Sequence, residues 1–178
     1  MRAYLLLGLA VATPALAATP EARPVDEAAK VAMDVCAAHA NGGTPIVGAS
    51  GQELDAKGVI YQLNPPDFLA STRSSVLGIA QYAKSPSVTG EIWSLGYDSG
   101  GCMVIALGAS TADVEKGLTA YFAGAKGWRS DRPSTAARPG ERKLAYAWNP
   151  RRNLKLTATI SLRDADNTTT VTITRSTS

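Results

Sequence analysis

Only two cysteines occur in the chain, Cys36 in "MDVCAAHANGG" and Cys102 in "DSGGCMVIALG", and three chemistries compete for them. Cys36 and His39 stand three apart on a predicted helix, close enough to share a face, as a thiolate nucleophile and its base would. No acidic residue that would orient His39 can be identified beside it. Met33, Cys36, His39, Cys102 and Met103 together form a set of soft donors on two segments, the ligand types that copper or zinc takes. Methionine at helical spacing equally fills cores. A Cys36–Cys102 disulfide would consume both thiols, and it is the expected state if the chain reaches an oxidising compartment. Such a bridge closes a loop of about 65 residues, for which chain entropy gives roughly 4 kcal/mol.

His39 is the only histidine in the sequence, which excludes multi-histidine metal sites. No G-x-S-x-G elbow is present, since "GASG" at Gly48 to Gly51 has the wrong spacing, and there is neither a P-loop nor a G-x-G-x-x-G. The "NTT" at Asn167 reads as a turn. No cofactor is expected, and no catalytic constellation is legible.

The compartment is read from the start of the chain. Arg2, the apolar run "AYLLLGLAVA", Pro14 and the small residues "ALA" have the order of a secretory signal peptide, with cleavage expected after Ala17. Residues 1–17 are therefore read as a leader, 18–25 as a flexible lead-in and 26–178 as a single domain. No second apolar run follows, so no transmembrane segment is expected in the mature chain. Export to the periplasm or the exterior supplies the oxidising conditions the disulfide needs. Removing Arg2 with the leader leaves 17 of the 18 basic residues against 15 acidic ones, a balance that demands no nucleic-acid partner.

The elements that must position these residues follow from periodicity. A first helix is predicted from Asp26 to Ala40, with Ala28, Val31, Ala32, Val35 and His39 on its stripe, Cys36 at the border and "NGG" as the stop signal. Between Thr44 and Ser75 the pattern is mixed: "GQELDAKG" suggests a short helix, "VIYQL" a short strand and "NPPDFLAST" a helical turn. "SVLGIAQYA", "EIWSLGY" and "CMVIALG" read as strands, the last two joined through the glycine-rich "DSGG". The third is apolar on both faces and is expected to be central. Ser110 with Asp113 opens a second helix, whose face is Val114, Leu118, Tyr121, Phe122 and Ala125. Alternation then gives three strands, around Leu144 to Trp148, Leu154 to Leu162, and Val171 to Ile173, with a wet and a dry face. The fold class is α+β: a mostly antiparallel sheet of five to six strands with two main helices on one face. No internal repeat is visible.

One surface feature rises above this frame. Lys126, Arg129, Arg132, Arg138, Arg142, Lys143, Arg151 and Arg152 face only Asp131 and Glu141 in their window, while the rest of the mature chain is net acidic. Arg151 and Arg152 fall at a predicted hairpin tip beside Trp148. Arg129, Arg132, Arg142, Arg151, Arg152 and Trp148 are therefore the candidate residues for gripping an anionic envelope component. The expected function is a monomeric, disulfide-stapled binding or accessory module of the cell envelope rather than an enzyme. The alternatives are a hydrolase or soft-metal handler using Cys36, His39 and Cys102, or an inhibitor of a secreted hydrolase. A cationic hydrolase would be repelled by the basic window.

Overall fold

A computed structural model of the chain describes residues 20–42, 46, 57–62, 64–70 and 78–177. The expected leader, and most of the expected helix at "GQELDAKG", lie outside the described residues.

The first helix, α1 (Val25–Ala40), carries Asp26 and Glu27 in its first turn and His39 in its last, charges that suit the helix dipole. Its buried stripe is Val25, Ala28, Ala29, Ala32, Met33, Val35, Cys36, Ala37 and Ala40. The expected stripe is therefore rotated. Cys36 is central, on the 4–3–4 line from Ala29 through Met33 to Ala40, while Val31 and His39 are only half-buried. Alanines dominate this face because the helix lies directly on the sheet, where longer side chains would hold it off.

The remaining elements follow as β1 (Ile60–Gln62), the single turn α2 (Asp67–Ala70), β2 (Ile79–Ser85), β3 (Glu91–Tyr97) and β4 (Cys102–Leu107). Then come α3 (Thr111–Gly124), β5 (Arg129–Asp131), β6 (Glu141–Arg151), β7 (Leu154–Arg163), a 3-10 turn (Asp164–Asp166) and β8 (Thr168–Ser176). Ser110 caps α3 by accepting from the Asp113 amide at 3.3 Å.

The eight strands of the described residues join one antiparallel sheet in the order β1-β2-β3-β4-β8-β7-β6-β5. The fold is α+β as expected, with eight strands and three helices among the described residues in place of five to six strands and two main helices. β5 escaped the periodicity because it has only three residues, all exposed, and so shows no alternation. Among the described residues the sheet order is two-part: α1 precedes β1–β4, with α2 between β1 and β2, α3 precedes β5–β8, and the halves meet where β4 pairs β8. A repeat of topology needs no repeat of sequence, since any residues of the right period will serve.

Cys102, Val104 and Ala106 face the helices and are buried, while Met103, Ile105 and Leu107 face the other side. The dry side of the expected alternation holds in β7, where Leu154, Leu156, Ala158, Ile160 and Leu162 are all buried. The opposite face is not uniformly wet. On the β1–β4 half, Leu69, Tyr82, Trp93 and Leu95 form a second apolar cluster, with Phe68, Tyr97, Met103 and Ile105 packed against it.

The two long helices cross closely. A Cβ at Gly117 of α3 would stand 2.8 Å from the Cα and carbonyl carbon of Asp26, so only glycine lets α3 meet the start of α1. Lys116 pairs with Asp26 at 2.5 Å beside this crossing. At the end of the expected lead-in, Arg23 is held to the β2–β3 connection: its amide donates to the Pro86 carbonyl at 3.1 Å, and its carbonyl accepts from the Val88 amide at 2.8 Å. No helix among the described residues is long and apolar enough to cross a membrane.

Candidate functional site

The disulfide between Cys36 and Cys102 is formed, with Cα atoms 5.5 Å apart and both residues wholly inaccessible to solvent. It ties the C-terminal half of α1 to the first residue of the central strand β4. The thiolate that a Cys36–His39 pair would need is therefore absent. Nor are the five soft donors brought together. Met33 is buried on the helix side, but strand alternation places Met103 on the opposite face from Cys102, within the second apolar cluster. His39 lies half-buried with Nε2 at 3.3 Å from the Tyr97 carbonyl oxygen. No group of three His, Cys, Asp or Glu side chains that could hold a metal exists among the described residues.

The basic window divides into parts with different work. Arg142, near the start of β6, donates to Glu115 Oε2 at 2.7 Å and to Asp164 Oδ1 at 3.4 Å. The Thr111 hydroxyl also donates to Asp164 Oδ1, at 2.5 Å. That hydroxyl, and then the Arg142 guanidinium, hold the Asp164 carboxyl below the ordinary carboxylate range. Arg142 thus locks the N-terminal end of α3 to β6 and the 3-10 turn, at the far end of β6 from the hairpin tip, and leaves the candidate site. Lys143 donates to Thr135 Oγ1 and the Ala136 carbonyl at 3.0 and 3.1 Å, holding the loop before β6.

At the other end of β6 the arginines converge. Arg151 donates from Nη2 to the Asn41 carbonyl, the C-cap of α1. A Cβ at Gly42 would lie 3.4 Å from Arg151 Nη2 and 3.7 Å from Arg175 Nη2, so two guanidinium groups stand at the negative end of the α1 dipole. Arg151 is a capping residue as well as a surface charge. Arg175 lies outside the basic window, and only the pairing of β8 beside β7 brings it here.

Two adjoining clefts open at this end. One, of about 590 Å³, is lined by Asn149, Pro150, Arg151, Arg152, Leu154, Lys155, Ser176 and Thr177. The other, of about 470 Å³, is lined by Gly127, Arg129, Ser130, Asp131, Ala147, Trp148, Asn149 and Lys155. They share Asn149 and Lys155. Arg129, Arg151, Arg152 and Lys155 therefore face one carboxylate, Asp131, which stands 3.8 Å from Lys155. Arg129, Arg132 and Arg152 make no ion pair among the described residues. Arg132 follows β5 in an exposed loop and lines neither cleft.

The aromatic residues support this end from below. Phe122 stacks on Tyr146 at 3.9 Å and meets Trp128 edge-on at 5.2 Å, and Trp128 lies 5.6 Å from Trp148. Trp128 is 8% exposed and belongs to the core, whereas Trp148 is half-buried and reaches the cleft. Gly127, at φ 97°, lets the chain pass this ring: a Cβ there would stand 2.5 Å from Trp148 Cδ1. The structure thus assembles Arg129, Arg151, Arg152 and Trp148 of the sequence-expected set, adds Lys155 and Asn149, and separates Arg142. Lys155 carries a sequence signal, since it alternates with the buried Leu154 and Leu156. Nothing in the sequence shows that β5 will bring Arg129 beside it.

A third cleft, of about 470 Å³, runs along residues 20–24 to Glu27 and Gly58. It mixes Glu21 and Glu27 with Arg23, whose guanidinium already donates to the Gly58 carbonyl at 3.2 Å, so it presents no single charge. Comparison with models of protein families, with characterised proteins and with solved structures finds no match to this chain.

Proposed function

We propose that the protein is an exported, disulfide-stapled binding or accessory module of the cell envelope, and that its working surface takes an anionic component. The observation that carries this reading is the convergence of Arg129, Arg152 and Lys155 on two adjoining clefts beside the half-buried Trp148. Cations in a concavity with low-dielectric walls focus their field and raise the local concentration of an anion. The buried disulfide fits the same reading, because a bridge of this kind persists in the oxidising space outside the cytoplasm.

The test is binding of the mature, oxidised protein to anionic and neutral surfaces at two salt concentrations. Binding is expected only to the anionic one, and it weakens with salt as the screening length shortens from about 10 Å at 0.1 M to about 3 Å at 1 M. Arg129→Ser with Arg152→Ser is the informative variant, since Arg151 also caps α1. Equal binding to both surfaces, or an unchanged affinity in the double variant, refutes the assignment.

A further inference from the structure

The shape of the cationic end says which anion it suits. Asn149 and Lys155 line both clefts, so the two concavities form one furrow across the ends of β5, β6, β7 and β8. Arg129 pairs with Ala147, Ala147 pairs with Thr157, and Lys155 lies one pleat from Thr157, so Arg129 and Lys155 share a sheet face. Strand spacing and pleat rise set their backbone positions roughly 12 Å apart. Arg152 adds a third cation at the turn. With Arg129 and Lys155 on this face lies Asp131, 3.8 Å from Lys155, and the uncharged hydrogen-bonding groups of Asn149 and Ser176 line the furrow beside them.

A lipid surface is a poor match. Stable interfacial binding combines charge with apolar area inserted among the acyl chains. The exposed large hydrophobic residue among those described is Val88, in the β2–β3 connection, which is remote in the sheet order from the β5–β7 end. The cationic end offers a furrow with spaced charges and hydroxyl-matching groups, and no wedge. We infer that the furrow binds one strand of a linear, negatively charged polysaccharide. Arg129, Arg152 and Lys155 meet its anionic groups, and Asn149 meets its hydroxyls. This rests on the reading of the same cations as an anion-binding surface.

The experiment titrates the mature, oxidised protein with polygalacturonate, with neutral dextran, and with phosphatidylcholine vesicles with and without phosphatidylglycerol. Polygalacturonate is expected to bind and dextran is not. Taking about a factor of five per cation, Arg129→Ser with Arg152→Ser should weaken binding about 25-fold. Lys155→Ser is an independent second variant, with a loss of about fivefold. Asn149→Ala should weaken polygalacturonate binding while leaving its salt dependence as in the parent, because no charge is removed. Lys30→Ser with Lys57→Ser removes the same net charge from exposed positions elsewhere and should bind like the parent. An equal loss in that control would overturn the site, because net charge alone would then explain binding. Anionic vesicles bound as tightly as polygalacturonate would overturn the glycan assignment and leave the anion-binding reading intact. Binding to neither would overturn both.

Discussion

Two glycines of the same helix should respond to the same substitution with opposite signs. Gly117 and Gly124 both lie in α3, where replacing glycine by alanine gains up to about 1 kcal/mol of helix propensity. A Cβ on Gly124 meets nothing within 4 Å, so that gain is realised, reduced to about 0.3–0.5 kcal/mol because the residue ends the helix. A Cβ on Gly117 stands 2.8 Å from two backbone carbons of Asp26, and ordinary contact between carbons begins near 3.5 Å. Backbone cannot swing aside as a side chain can, so α1 and α3 must separate by the better part of an ångström. Overpacking costs about 1–3 kcal/mol, and a clash with the Asp26 backbone in which its carbonyl oxygen is closer still belongs at the upper end, about 2–3 kcal/mol, which outweighs the propensity gain and leaves Gly117→Ala about 1–2 kcal/mol less stable. At roughly 2–4 °C per kcal/mol for a domain of this size, its thermal midpoint falls by about 2–8 °C, while Gly124→Ala rises by about 1–2 °C. Urea unfolding followed by circular dichroism measures both, with an unchanged slope marking a true stability effect. A Gly117→Ala protein as stable as the parent would refute the close crossing.

Four further outcomes are expected. Replacing both Cys36 and Cys102 by Ala releases a cross-link between residues 66 apart and should cost about 4 kcal/mol by chain entropy, read as a fall in the urea midpoint; a change under about 1 kcal/mol would show that the bridge constrains little. Arg151→Met removes a charged donor from the α1 C-cap while keeping the length of the side chain, and should cost about 1 kcal/mol, with no cost when measured in high salt if the dipole attraction dominates. Stability should hold from neutral pH to about pH 5 and then fall as acid protonates Asp164 and Glu141, whose folded carboxyls titrate below their ordinary range. Asp164 is held there by the Thr111 hydroxyl first, and Glu141 by the Arg138 amide first, so Asp164→Asn should flatten part of the acid limb of the urea midpoint against pH. At the alkaline end, burial pushes Tyr121 up to about 12, so stability should begin to fall as unfolded tyrosine ionises above pH 10, with absorbance at the tyrosinate band lagging in the folded protein.

The class of fold and most of its elements were legible because they depend on period. α1, β4, α3, β7 and most of β8 each bury one side and expose or half-bury the other, and that alternation is written residue by residue, whereas β3 is buried on both faces from Ile92 to Gly96. β5, too short for a period, left no comparable trace, whereas the single turn α2 was marked by the prolines that precede it in "NPPDFLAST". The cysteine pairing was legible for a different reason. With two cysteines there is one possible bridge within the chain, and no geometry is needed to name it.

The candidate site divides along the same line. The sequence by itself determined that positive charge is concentrated between Lys126 and Arg152, and that Cys36 and Cys102 would spend their thiols on each other. Only the tertiary structure decided which of those charges stand together. Sheet pairing brings Arg129 of β5 and Lys155 of β7 to one face, and carries Arg175 of β8 to the end of α1 beside Arg151. The length of β6 carries Arg142 to the opposite end, where Glu115 and Asp164 hold it. Charge is a property of each residue and survives any arrangement of the chain, whereas a binding surface depends on distances between residues remote in sequence, and those are set by strand order and register.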